Sequence, residues 1–359
     1  MIVSLRQDLS QQLINWIGAS ELKCSLRVTN LSLWESIWQS LDYQANAYSV
    51  DMIDYQHAYY IGAGWELVDA SLILLNDGKP CGLLPLTYKA GLEPSLTSLG
   101  SPILAPIFLP NITKRTIKKI CAGLLSFFYT AHLDLAIKHM LLEQAPNLAL
   151  GYVGGGLSEW HQLQMSTGAS VSLQHDLYVD LLMPIDQIWA SFRKSYRPLI
   201  NSGTKIWQIY IMNTSSLNQA KWTEFRLLHQ EVAGRVTRSI ESWNKQFQMI
   251  VNSKAFFVYL QDPSSHRMVG GGFFQYTKHE CLYAVGAYDR TIFDKPLGHV
   301  VQYIAINEMR KLALSWYKIG RRFYKQDSPI PTSKELAISE FKQGFSTHSF
   351  IKYTYTNYL

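Results

Sequence analysis

LYAVGAYDRTIFDKPLGHVVQYIAINEMRKLALSWYKIGRR, residues 282–322, decides the fold. Residues 282–287 are a short β-branched and aromatic run, 288–295 a polar loop, and Pro296-Leu297-Gly298-His299 opens an apolar-periodic segment. A second apolar run follows at 316–319. The order is strand, loop, helix, strand. Val300, Ile304, Ile306, Met309 and Leu312 recur at roughly helical spacing, which predicts one helix face packed on a sheet.

A loop that leaves a strand and feeds a helix start exposes unpaired backbone N–H groups, and the helix dipole adds partial positive charge there. Such a place suits a phosphate or pyrophosphate. Arg290, Lys295 and His299 surround it with cationic or titratable groups, Leu297 stands with them at the helix start, and Gly298 lets the backbone come close to a ligand. The alternative is a loop in which Asp289, Arg290, Asp294 and Lys295 pair among themselves.

Outward from this stretch, 359 residues suffice for two domains, and 47% apolar against 17% charged residues exclude a disordered chain. The net charge of +6 is mild, fitting anionic small molecules, tRNA or a membrane surface without choosing among them. Cys24, Cys81, Cys121 and Cys281 have no metal-ligand spacing, so reduced thiols and no metal site are expected. No run reaches about 18 uninterrupted apolar residues and the start lacks a signal pattern, so the expectation is a cytoplasmic chain with no integral membrane segment.

In the first half, residues 24–28 read as a brief strand and 31–41 as a helix capped by Asn30, while 46–60 fit helix or loop. The runs 66–75 and 80–89 flank a hairpin turn at Asp77-Gly78. A basic helix is expected from an Asn111 cap to about residue 130. Gly154-Gly155-Gly156 reads as a tight turn rather than a phosphate loop, because no Lys-Ser/Thr follows. The second half begins with a strand at 175–182. Next come a basic helical stretch broken before Pro198, a strand at 206–211, helices at 217–232 and 241–251, and a three-strand meander at 255–260, 268–276 and 281–287. If the 217–232 helix persists, Glu231, Arg235 and Arg238 share one face. They then form either a surface ion pair or a cleft wall where Arg235 and Arg238 hold an anionic substrate and His229 or Glu231 handles a proton.

Helices, three antiparallel strands, a helix opening at a phosphate-type loop and another strand resemble the GNAT acyltransferase fold. Residues 192–205, 297–320 and the Phe341-Lys342…Gly344-Phe345 ending resemble its FemAB-like branch. The resemblance implies an α+β chain of two tandem GNAT-like domains, each a mainly antiparallel twisted sheet flanked by helices, at 1–174 and 175–359. His229…Gly234-Arg235…Thr237-Arg238 and residues 286–290, 293–302 and 316–320 look like a FemAB-like subgroup linked to bacterial surface-sugar biosynthesis. The first half matches in outline only.

The family resemblance implies transfer of an acyl or aminoacyl group to an amine, with acyl-CoA, acetyl-CoA among the candidates, or aminoacyl-tRNA as donor. The acyl-CoA fingerprint is met loosely, since Arg290 and Gly298 stand at the wrong separation. No long charged heptad arm suggests a tRNA reader, so a small thioester donor is favoured. No Cys/His or GxSxG nucleophile is visible, so direct amine attack is expected. His229 or Glu231 is the base, Asp289 the next choice, and Tyr288 or Tyr317 the acid for the leaving group. Arg235, Arg238 and Lys318 bind a small acceptor carrying an amine and an anionic group, and no DNA is involved. The rivals are Fem-type aminoacyl transfer to a cell-wall precursor and a non-catalytic binding protein on the same fold.

Overall fold

In the computed structural model, which describes residues 11, 13–18, 21–135, 139–144 and 158–358, the chain forms two compact units. One is Met1–Leu173 with Ile351–Leu359, and the other is Gln174–Phe350. Both are α+β, with antiparallel sheets flanked by helices.

The first unit carries β1 (Cys24–Leu26), β2 (Leu67–Asp69), β3 (Leu72–Asn76), β4 (Lys79–Leu84), β5 (Thr87–Lys89), β6 (Ser95–Thr97), β7 (Ile107–Phe108) and β8 (His139–Gln144). They make a sheet in the order β1-β3-β4-β7 and a smaller one, β2-β5-β6, while β8 pairs with the last residues of β15 (His348–Tyr358). The hairpin turn falls at Asp77-Gly78, both in left-handed geometry. The 66–75 run divides into β2 and β3 because Ser71 N donates to the Asp69 carboxylate at 3.0 Å, which turns the chain between them. Asn30 caps the Leu31–Gln39 helix as expected. The basic helix is Lys114–Leu135; Thr113, not Asn111, caps it, its hydroxyl accepting from Thr116 N. Residues 46–60 become a 3-10 turn and the Val50–Gly62 helix under a Ser49 cap. The Gly154-Gly155-Gly156 turn lies outside the described residues.

The second unit contains most of β9 (Ser170–Asp180), then β10 (Gln208–Met212), β11 (Ala255–Gln261), β12 (Met268–Tyr276), β13 (Glu280–Tyr288) and β14 (Trp316–Arg322), ordered β10-β11-β12-β13-β14-β9. Period-two alternation gives this sheet two buried faces. Phe256, Val258, Leu260 and Phe274 meet Val300, Val301, Ala305 and Ile306 of the Gly298–Lys311 helix. On the other face Phe257 and Phe273 meet Trp222 and Phe225 of the Gln219–Ala233 helix. The predicted packed face of residues 300–312 holds for Val300, Ile306 and Met309. Ile304 is half-buried and Leu312 exposed, since the helix ends at Lys311.

The break expected before Pro198 is present, since the helix Ile185–Ser191 ends and a second helix, Tyr196–Ile206, begins after it; Pro198 lies in the first turn of that second helix, where its missing N–H costs no intrahelical bond, and residues 201–205 are helical. One boundary differs from the sequence reading. The Gln219–Ala233 helix does not persist through residue 238. Gly234 ends it in left-handed geometry at φ 68°, so Arg235 and Arg238 lie beyond the helix.

The Tyr196–Ile206 and Gly298–Lys311 helices cross at Gly203, where an added Cβ would stand 2.4 Å from Val300 Cγ2 and 3.0 Å from Pro296 O. Ala gains about 1 kcal/mol of helix propensity over Gly, but overpacking costs about 1–3 kcal/mol. Gly203→Ala is therefore expected to lower the unfolding midpoint in a urea titration; a raised midpoint would refute the close crossing.

Candidate functional site

All β ladders of the second unit's six-stranded run are antiparallel except one. β13 and β14 are parallel, because the intervening helix brings the chain back in the same direction, and they pair only at Glu280–Trp316, Cys281–Tyr317 and Leu282–Lys318. Beyond that the strands do not pair with each other, so residues 283–288 of β13 and 319–322 of β14 border an opening. Along this stretch β13 stays paired with β12, and β14 with β9, each ladder carrying one register shift, at Phe273/Phe274 and at Lys318/Gly320.

Side chains from four elements converge on this opening. Tyr283 and Tyr288 share a hydrogen bond between their hydroxyls at 2.9 Å, and Tyr317 donates to Gln302 Oε1 at 2.5 Å. Burial raises the pKa of all three tyrosines, so they remain neutral proton donors. Lys342, from the Ser333–Gln343 helix, places Nζ 5.6 Å from the Tyr283 ring centroid. It lies against Gly320, whose φ of 140° and lack of a side chain make the space: a Cβ there would be 2.7 Å from Nζ. Burial lowers the pKa of Lys342, while the Asp176 carboxylate partly offsets this.

The helix start after the loop is not the solvated cationic seat that the sequence suggests. Leu297 is buried, Gly298 abuts the Phe341 ring, and His299 packs edge-on to Tyr196 and Phe341 at 4.6 and 5.1 Å. Burial pushes the His299 pKa down to about 4, so the ring is neutral rather than cationic at neutral pH. Arg290 and Lys295 are exposed on the loop, and Lys295 Nζ lies 5.6 Å from the Trp207 ring. Of the loop's two acidic residues, Asp289 takes its ion pair from outside the loop. Asp289 is buried, ion-paired with Arg267, and accepts from Thr291 N and Oγ1 at 2.9 and 2.6 Å. Burial raises its pKa, but these bonds outweigh that and hold it below the usual carboxylate range. That makes Asp289 a strut for the loop and a poor proton acceptor.

The remaining candidates gather at the turn between the Gln219–Ala233 and Ile240–Val251 helices. His229 shares a cavity of about 180 Å³ with Arg226, Thr237, Arg238 and Trp243. Its Nδ1 is 3.4 Å from Thr237 Oγ1, its ring meets Trp243 edge-on, and the Arg238 guanidinium lies over that indole at 5.4 Å. Burial, reinforced by the Arg238 charge, pushes the His229 pKa down to about 4. Glu231 and Arg235 line an adjoining open cavity of about 340 Å³. Lys318 is not available as drawn from sequence: its ammonium is 2.7 Å from the buried Asp176 carboxylate. The structure thus groups Tyr288 with Tyr317, His229 with Arg238, and Glu231 with Arg235. Tyr283, Asp176 and Arg267 carried no sequence motif, whereas Gln302 ends the 293–302 stretch and Lys342 was visible within the Phe-Lys ending.

No family model matches the chain, and no curated protein is similar to it in sequence. Solved structures are similar in fold. FemX is 11% identical, with 90% of this chain and 94% of FemX covered at a TM-score of 0.60. The fold is Fem-like, with two GNAT-like units. L-PGS from Bacillus licheniformis is 12% identical, covers 90% of each chain and has a TM-score of 0.55. A conserved protein from Bacteroides thetaiotaomicron is 9% identical over 93% of this chain and 99% of its own, with a TM-score of 0.53. At these identities the likeness is one of fold. Among the described residues no helix is long and apolar enough to cross a membrane, and no cluster of metal-ligating side chains occurs.

His229 and His299 both titrate near 4 when folded and near 6.5 when unfolded. Between those values the unfolded chain binds more protons, so their contribution to stability is intact above pH 6.5 and lost as pH falls toward 4. His299→Gln is expected to flatten the fall in melting temperature between pH 6.5 and 4. A slope identical to that of the parent would show that His299 is not held neutral.

Proposed function

We propose that the second unit transfers an acyl group from an activated carbonyl donor to the amine of a small acceptor, with the reacting carbonyl in the opening between β13 and β14. The observation that carries this is the half-buried Lys342, whose charged form its surroundings disfavour, beside strand edges whose backbone groups are not paired across the gap. The amine lone pair forms the new C–N bond and the carbonyl π electrons move to oxygen. Lys342 and the open N–H groups hold that oxyanion in surroundings where charge interactions are strong. Collapse expels the leaving thiolate or alkoxide, which takes a proton from Tyr288 or Tyr317. Burial raises the pKa of all four thiols, to about 11 for Cys24 and Cys81 and about 12 for Cys121, which supports direct attack over a cysteinyl intermediate.

His229 accepts the amine proton in this scheme, with Glu231 as the neighbouring choice. A base with a pKa near 4 is weak, but an anionic acceptor group paired to Arg238 would remove part of the depression. Arg235 and Arg238 hold that anionic group. An amino sugar or nucleotide-sugar of cell-surface glycan synthesis has the required amine and charge, in keeping with the sequence resemblance. For the donor, the exposed Arg290 and Lys295 of the loop would take the phosphates of an acyl-CoA. The aromatic cover over Gly298 and His299 favours a second reading, in which the donor is an aminoacyl-tRNA in the manner of the Fem-type resemblance.

The test is thiol release from a panel of acyl-CoAs, and label transfer from aminoacyl-tRNAs, with amino-sugar and nucleotide-sugar acceptors. Lys342→Met is expected to lower turnover on the order of 10²–10³-fold while leaving the melting curve intact. Gly320→Ala, which pushes Nζ out of its place, is expected to act in the same direction. A folded Lys342→Met protein with parental turnover would overturn the assignment.

A further inference from the structure

The turn between the Gln219–Ala233 and Ile240–Val251 helices carries, beside Arg235 and Arg238, three aliphatic side chains and Arg226, none of which the proposed chemistry uses. Leu227, Val236 and Ile240 are 53%, 68% and 65% exposed there, although each is a large aliphatic side chain. They are neighbours: Leu227 lines the larger cavity, Val236 and Ile240 line the smaller one, and Gln230 lines both. Three arginines, Arg226, Arg235 and Arg238, share the same linings, and Glu231 is the one acidic residue among them. Scattered single exposed aliphatics need no explanation, whereas aliphatics grouped with cations of one sign form a surface with a definite complement.

We propose that this helix turn docks the protein on an anionic lipid surface, with Leu227, Val236 and Ile240 entering the headgroup boundary and Arg226, Arg235 and Arg238 meeting the lipid phosphates. The pairing of the two chemistries is what selects a membrane. A soluble anion would satisfy the arginines and leave the aliphatics in water, and an apolar protein groove would bury the aliphatics and leave the arginines uncompensated. Gly234 bends the chain out of the helix at its left-handed φ, so that Arg235 and Val236 sit at the tip of the turn. Attachment of this kind is peripheral and reversible, and it weakens with salt because exposed charges are screened over a Debye length of about 8 Å at physiological ionic strength. The docking does not depend on acyl transfer. If both hold, the turn lies beside His229 and Arg238, and the membrane would be the place where the acceptor is met.

The experiment is flotation of the full chain with vesicles of phosphatidylcholine alone and of phosphatidylcholine with phosphatidylglycerol. The expected result is binding to the anionic vesicles only, lost at high salt, and weakened about tenfold in the double variant Val236→Asp, Ile240→Asp. Both positions are mostly exposed, so the variant should keep the parental melting curve. No flotation of the parent with anionic vesicles would overturn the proposal. So would flotation that the double variant retains, or a salt-stable dimer that the double variant breaks, which would make the patch an interface between two copies. A transfer assay run without vesicles separates the two ideas: unchanged turnover in the variant with lost flotation leaves the chemistry standing, and a parent that floats with anionic vesicles but transfers no acyl group leaves the docking standing.

Discussion

The second unit depends on one parallel strand pair set in an otherwise antiparallel run. A helix between β13 and β14 returns the chain in the same direction, the pair holds for three residue pairs, and the strands then separate. Each strand remains fixed by its other neighbour, β12 or β9, so the opening is a rigid feature of the sheet rather than a frayed edge. Everything ascribed to chemistry follows from it: unpaired backbone edges, tyrosines that find partners in one another and in Gln302, and a lysine that reaches the gap because Gly320 has no side chain.

Burial sets the electrostatics more than pairing does. His229 and His299 are neutral because water is excluded around them, and Lys342 has its charged form disfavoured for the same reason. Asp289 and Lys318 show the opposite case, where opposite charges fix the ion in place and remove it from catalysis. A half-buried lysine that keeps only partial compensation from Asp176 is the group with most to gain when a negative charge develops beside it.

Much of the fold could be read from residues. The meander, the Asp77-Gly78 hairpin and the helix opening at Gly298 all rest on local periodicity or turn chemistry, and the structure has them. What could not be read was set by tertiary partners. No local signal says that Pro198 lies inside a first turn, or that Arg267 rather than Arg290 takes Asp289. His299 reads as a phosphate ligand because it opens a helix after a polar loop; its neighbours in space, Tyr196, Phe341 and Phe345, are aromatic rings that cover it. Lys342 was legible only as part of the Phe-Lys ending, since its reason for being there is a glycine 22 positions earlier on another element.

The most direct test of an activated acyl donor at the β13–β14 opening is the melting temperature of the purified protein against acyl-CoAs, free CoA, and charged and uncharged tRNA. A ligand that prefers the folded state must raise it. The account predicts a saturable rise with one acylated donor that exceeds the rise with its deacylated counterpart, because the acyl group itself occupies the opening. Equal shifts for acylated and deacylated partners, or no shift with any of them, would contradict it.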